Sequence, residues 1–171
     1  MRYSGPTRLL HWLLVPLLWG LFGFGKYLGN IEPSVSNVHL WGWHKSVGLS
    51  VFALIFIRVV WRLTHKPPEH VGVSPLQHHA AQTVHLLLYV LMVLTPLFGW
   101  IASSATGLPI SIFGLVNVPL IGPEGEAAER LFFQLHGLSA TALIILSIGH
   151  LAAALFHHFW RRNGLLGRMW L

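Results

Sequence analysis

His136 and His150 stand fourteen residues apart within one uninterrupted apolar run of this 171-residue chain. At 100° per residue of α-helix, fourteen steps return the second to within about 40° of the first and leave them roughly 21 Å apart along the axis. The two imidazoles therefore share one helix face at two depths. Two other apolar runs each carry a histidine close to one end, His11 and His44. Imidazole is the commonest nitrogen ligand for metals and the side chain that exchanges protons near neutrality. Twelve histidines and no cysteine make up the inventory. Without cysteine there is no disulfide framework, thiolate metal site, iron–sulfur cluster or C-x-x-C-H haem attachment. There is also no Asp, and all five Glu lie outside the apolar runs. That argues against a multi-ligand metal site completed by a carboxylate, and against a proton or cation pump.

The elements that must position these rings follow from composition. Hydrophobic residues make up 54% of the chain and charged residues only 9%, against about 25% charged in an ordinary soluble domain. Four apolar runs approach or exceed the roughly 20 residues that cross a bilayer: about 9–28, 40–63, 79–104 and 131–160. The expected fold is an all-α integral membrane protein, a single domain over 1–171 built as an up-down bundle of four transmembrane helices. Turn-rich stretches separate the runs, the third of them (Gly107 to Gly125) irregular, and no strand is expected from the pattern. The first run is too long for a signal-peptide core and lacks a small-residue cleavage site, so it reads as a retained helix. Arg2 and Arg8 precede the first run, Arg58, Arg62 and Lys66 close the second, and Arg161, Arg162 and Arg168 follow the fourth. The positive-inside rule then places both termini and the middle loop in the cytoplasm, and makes the +6 net charge a topology signal, with no nucleic-acid partner.

With the helices antiparallel, depth sorts the histidines. His44 is level with His136 at the external ends, and His11 is level with His150 toward the cytoplasmic ends. Two imidazoles facing each other across a bundle core are what a bis-histidine haem iron requires. Gly48, Gly137, Ala140, Gly149, Ala153 and Ala154 flank the paired rings, and Gly20, Gly23 and Gly25 thin the first helix; they leave room for a flat macrocycle or simply pack helices closely. Arg8, with Arg58 or Arg62, is a candidate contact for haem propionates, and Lys45 and Arg130 could serve the outer site. His65, His70 and His78 read as residues in or near the middle loop, and His39 as interfacial. A non-redox metal-binding membrane protein is the alternative of another class.

The stretches TRLLHW at the start, LWGWHKSVGL opening the second helix, LHGLSA opening the fourth and GHLAAALFHHFW closing it resemble the bacterial cytochrome b561 proteins, over essentially the whole chain. These are dihaem inner-membrane cytochromes, similar also to the cytochrome subunits of nickel–iron hydrogenases and formate dehydrogenases. The resemblance implies two b haems enclosed by the bundle, with His11 and His150 on the cytoplasmic-side iron and His44 and His136 on the periplasmic-side iron. One branch, the superoxide oxidases, is similar in length and in lacking partner domains. It implies superoxide as donor at the periplasmic face and ubiquinone as acceptor from the quinone pool, with His157 and His85 at the quinone site. Lys45 and Arg130 would then steer superoxide. The stretch EHVGVSPLQHH lacks the lysines that this branch carries in the middle loop. The outer face is not strongly cationic either, which leaves open an electron-carrier role for a periplasmic dehydrogenase or hydrogenase.

Overall fold

The computed structural model describes residues 2–65 and 74–170, so Lys66 and His70 of the expected middle loop lie outside the described residues. Four helices dominate: α1 (Gly5–Leu28), α2 (His39–Thr64), α3 (Pro75–Ser104) and α4 (Glu126–Phe159). All four are long and apolar enough to cross a membrane. Even α1, the shortest at 24 residues, reaches about 36 Å, beyond the roughly 30 Å of a hydrocarbon core. Large apolar side chains such as Leu63, Phe56, Leu138 and Ile145 point outward and exposed, as a lipid-facing surface requires. The chain is a four-helix membrane bundle.

Three helices begin earlier than the apolar runs suggest, because polar residues form their first turns. Pro6 opens α1, where its missing N–H costs no helical hydrogen bond. Ser74 and Gln77 form a reciprocal capping box at α3: the Ser74 hydroxyl accepts from the Gln77 N–H at 3.3 Å and the Gln77 side chain accepts from the Ser74 N–H at 3.1 Å. His78, expected in or near the loop, is therefore helical. Glu126 and Glu129 occupy the first turn of α4, where acids favour the helix dipole.

The third connection departs most from expectation. Where no strand was expected, β1 (Ile110–Ile112) and β2 (Val116–Val118) form an antiparallel hairpin. The alternation of branched residues in ISI and VNV supplies the strands. Between them Phe113 and Gly114 both take positive φ, 51° and 71°, as in the primed turns that match strand twist. The Phe113 N–H donates to the Ser46 hydroxyl at 2.9 Å, and the Phe113 ring sits 5.5 Å from Trp43. The hairpin is thereby seated on the start of α2.

Close contacts set the bundle's polarity. The Tyr3 N–H donates to the Arg168 carbonyl, and the Trp61 indole donates to the Ser4 hydroxyl, gathering the start of α1, the end of α2 and the C-terminal segment at one end, the termini end. The hairpin marks the other. Around the bundle α3 packs most extensively on α4 and α1 on α2, whereas α1 touches α4 sparsely. Leu14, Val51, Ile55, Met92 and Leu143 fill the core between the two ends.

Candidate functional site

Two histidine pairs lie across the loosely packed parts of this bundle. At the hairpin end, His44 of α2 faces His136 of α4 with ring centroids 6.2 Å apart and planes at 89°. At the termini end, His11 of α1 faces His150 of α4 at 6.4 Å and 81°. An imidazole nitrogen bound to a first-row metal sits about 2.0–2.1 Å from it and about 1.1 Å from its own ring centre, so two rings on opposite sides of one iron stand ~6.3 Å apart. Both observed separations match. Each pair offers only two donors, and among the described residues no group of three or more His, Cys, Asp or Glu is placed to hold a bare metal ion. A tetradentate macrocycle such as haem supplies the missing donors, so the pairs fit haem better than a free cation.

The hairpin-end pair is built to present nitrogen. His136 Nδ1 lies 2.8 Å from the Thr95 carbonyl of α3. A carbonyl only accepts, so Nδ1 carries the proton and Nε2 keeps its lone pair, the arrangement of metal-binding histidines. The ring reaches that carbonyl because residue 99, one turn on, has no side chain: a Cβ at Gly99 would stand 2.9 Å from His136 Nδ1. A Cβ at Gly25 of α1 would similarly stand 3.1 Å from His44 Cε1. His44 Nδ1 is buried and has no partner among the described residues, so a nitrogen of this ring is left for a ligand to take. Gly25 is one of the glycines expected to thin α1, whereas Gly99 and Thr95 are not among the expected site residues. The signal was there, in a glycine one turn after a threonine on the helix facing His136.

The termini-end pair is different. His85 of α3 joins it, 5.3 Å from His150. Arg58 Nη2 approaches His11 Nδ1 at 3.4 Å, while its Nη1 donates to the Thr7 carbonyl at 3.2 Å. A guanidinium only donates, so His11 Nδ1 accepts and the proton of the neutral ring lies on Nε2. The C-terminal segment folds back over α1: the Trp12 indole donates to the Met169 carbonyl at 2.7 Å and Arg8 Nη1 to the Trp170 carbonyl at 2.8 Å. Arg8 Nε is buried and has no partner among the described residues. His157, one of the two expected quinone-site residues, is half-buried, and Asn163 Nδ2 donates to its Nδ1 at 2.9 Å. That leaves His157 Nε2–H as a donor.

The other expected residues are placed less favourably. Lys45 is half-buried beside His44, and Glu129 exerts an attraction on its charge without an ion pair to it among the described residues. Arg130 is exposed and bound to Glu126 one turn earlier on α4. His39 opens α2, and His65 caps its end, stacked on Trp61 at 3.7 Å. A methyl group at Gly20, Gly23, Gly48, Gly137 or Gly149 would meet nothing within 4 Å. Those glycines therefore face open space and make no close helix contact.

Comparison with known proteins agrees with this architecture. The family model described as prokaryotic cytochrome b561 matches residues 2–171. "Cytochrome b561 homolog 2" of Escherichia coli K12 is 32% identical over 98% of this chain and 90% of its own length. "Cytochrome b561 homolog 1" of the same organism is 28% identical over 98% and 96%. "Cytochrome b562" of Cereibacter sphaeroides is 30% identical over 96% and 94%.

Proposed function

The chain belongs to the prokaryotic cytochrome b561 family and is thereby a membrane cytochrome b of electron transfer; on that premise we propose that it binds two b haems and couples superoxide oxidation at one face to ubiquinone reduction at the other. His44 and His136 would hold the haem at the hairpin end, and His11 and His150 the haem at the termini end. Bound haem supplies one-electron Fe(III)/Fe(II) chemistry, which lets a one-electron donor serve a two-electron acceptor. The single observation that carries the reading is the pair of matched imidazole separations, 6.2 and 6.4 Å, at opposite ends of one bundle.

The protein's own groups divide the remaining work. Thr95 fixes the His136 tautomer and Gly99 admits its ring. His157, with Nδ1 occupied by Asn163, offers Nε2–H to a quinone carbonyl, and His85 stands against His150 as a second imidazole at that end. Two superoxide ions, one ubiquinone and two protons give two dioxygen and one ubiquinol, with the protons taken up at the His157 end. Lys45 is the remaining steering charge for superoxide. Arginines crowd the termini end, which we place in the cytoplasm of a bacterial cell, with the hairpin in the periplasm and the spans in the inner membrane.

A second reading has its own support. Trp43, Phe113, Leu115 and Val116 are exposed together around the hairpin; Arg130 is paired with Glu126, and Glu129 attracts Lys45. An apolar, nearly neutral outer face suits a protein electron donor better than a small anion. The deciding experiment is superoxide-dependent ubiquinone reduction by the purified protein, beside its dithionite-reduced spectrum. Haem bands with rapid turnover support superoxide oxidation. Haem bands without turnover transfer the role to an electron-carrier subunit. Absence of Soret and α bands overturns both.

A further inference from the structure

The chain sets a guanidinium against one histidine pair and nothing comparable against the other. Arg58 stands within the apolar span of α2, and its contacts among the described residues are to neutral groups: His11 Nδ1 at 3.4 Å, the Thr7 carbonyl at 3.2 Å, and the face of Tyr89, whose centroid is 5.7 Å from the guanidinium carbon. Its charge acts on His150 as well as His11, and Arg62, one turn on, adds a second positive charge. The carboxylates among the described residues, Glu32, Glu124, Glu126 and Glu129, all belong to the connections and the α4 start at the hairpin end. A cation held in a membrane span is costly and marks function. At the hairpin end the counterpart, Lys45, feels the attraction of Glu129.

We propose that Arg58 sets the order of the two reduction potentials, holding the termini-end centre above the hairpin-end centre so that electrons run from the hairpin toward the termini. This rests on the two-haem reading above. One electron moved between the ends oxidises the hairpin-end centre by one unit and reduces the termini-end centre by one, and no proton is required. Its arrival lowers the positive charge beside His11 and His150, and the guanidinium, turned from His11 Nδ1 but carried beside the pair by α2, stabilises that change. The same guanidinium would meet a propionate of the bound group; removing it leaves that carboxylate uncompensated, which acts in the same direction. Coulomb energy falls with distance, and the two pairs lie roughly 21 Å apart along α4, so Arg58 acts mainly on one of them. Arg8 is tied to the Trp170 carbonyl and contributes less.

The test is a potentiometric titration of the full-length protein with both haems bound, comparing wild type, R58M, R58K and R8M. The H136A variant retains the termini-end centre and so assigns its midpoint. In wild type the termini-end centre titrates at the higher potential. R58M lowers that midpoint and leaves the other in place, cutting the equilibrium constant for inward transfer at least about tenfold, or about 59 mV for one electron. R58K keeps the wild-type order, and R8M shifts it less than R58M. The inference is overturned by the reverse order in wild type, by R58M with two haems and unmoved midpoints, or by equal shifts at both centres. Should R58M lose the termini-end haem, the wild-type order and R58K still decide: loss of the order in R58K with both haems bound overturns it. A wild type without haem bands overturns the underlying reading instead.

Discussion

The two histidine pairs share a separation and almost nothing else. At the hairpin end the ring of His136 is already in the tautomer that leaves Nε2 bare, because the Thr95 carbonyl takes its Nδ1 proton, and two glycines leave the rings their space. At the termini end His11 is turned toward a guanidinium, its Nδ1 accepting, so Nε2 gains a lone pair only when the ring proton moves and Arg58 turns from that nitrogen. One pair is preorganised by neutral backbone chemistry. The other is surrounded by charge and by groups that exchange protons: Arg58, His85 and, farther along α4, His157. Under the proposed function, rigid placement suits an end that only passes electrons, while an end that also protonates an acceptor needs donors beside its rings.

Removing one ring breaks the comparison most severely. H136A is expected to lose the hairpin-end haem and H150A the termini-end haem, halving the haem per chain in each case, as a pyridine haemochrome assay measures. Retention of two haems by either variant would sink the pairing.

Next in size is G99A. Its methyl displaces His136 from the Thr95 carbonyl, and loss of such a supporting hydrogen bond weakens metal binding by about 10–100-fold. Haem retention against a competing apo-globin should fall at the hairpin end alone. G25A, with its clash at 3.1 Å in place of 2.9 Å, should fall less.

The termini end is sharpened by N163A, which frees His157 Nδ1. Loss of one neutral hydrogen bond is worth about 1 kcal/mol, so the KM for ubiquinone is expected to rise about fivefold with both haems retained. An unchanged KM would remove His157 from the quinone site.

The smallest effect belongs to the outer charges. E129Q unmasks Lys45 and should raise the superoxide rate about twofold at low ionic strength, with the gain fading as salt shortens the Debye length. A rate indifferent to both the substitution and salt would favour the electron-carrier reading.

Much of this was legible in the residues. Four apolar runs have few alternatives to four membrane helices, since a backbone in lipid must satisfy its own hydrogen bonds. Fourteen residues on one helix fix phase and depth together, so the neighbours of His136 and His150 could be sought by level alone, and the structure brings His44 and His11 to those levels. The hairpin was missed because ISI and VNV are short, and the turn between them seats Phe113, a bulky residue, at positive φ. What holds it there is the Ser46 hydroxyl, sixty-seven residues away. The weakness of Lys45 and Arg130 as steering groups was half visible: Glu126 and Arg130 are an i, i+4 pair on any helix, but Glu129 acts on Lys45 only once the starts of α4 and α2 share one end of the bundle.

The four helices, the depth of the four paired histidines and the ends where cations gather could all be read from the residues, because these depend on hydrophobic length and helical phase, which are local. The tertiary structure alone decided which ring nitrogen is free, which glycines touch a histidine, and which charge stands against which pair. Those follow from side chains on different helices meeting at 3 Å, and no spacing along one chain specifies them.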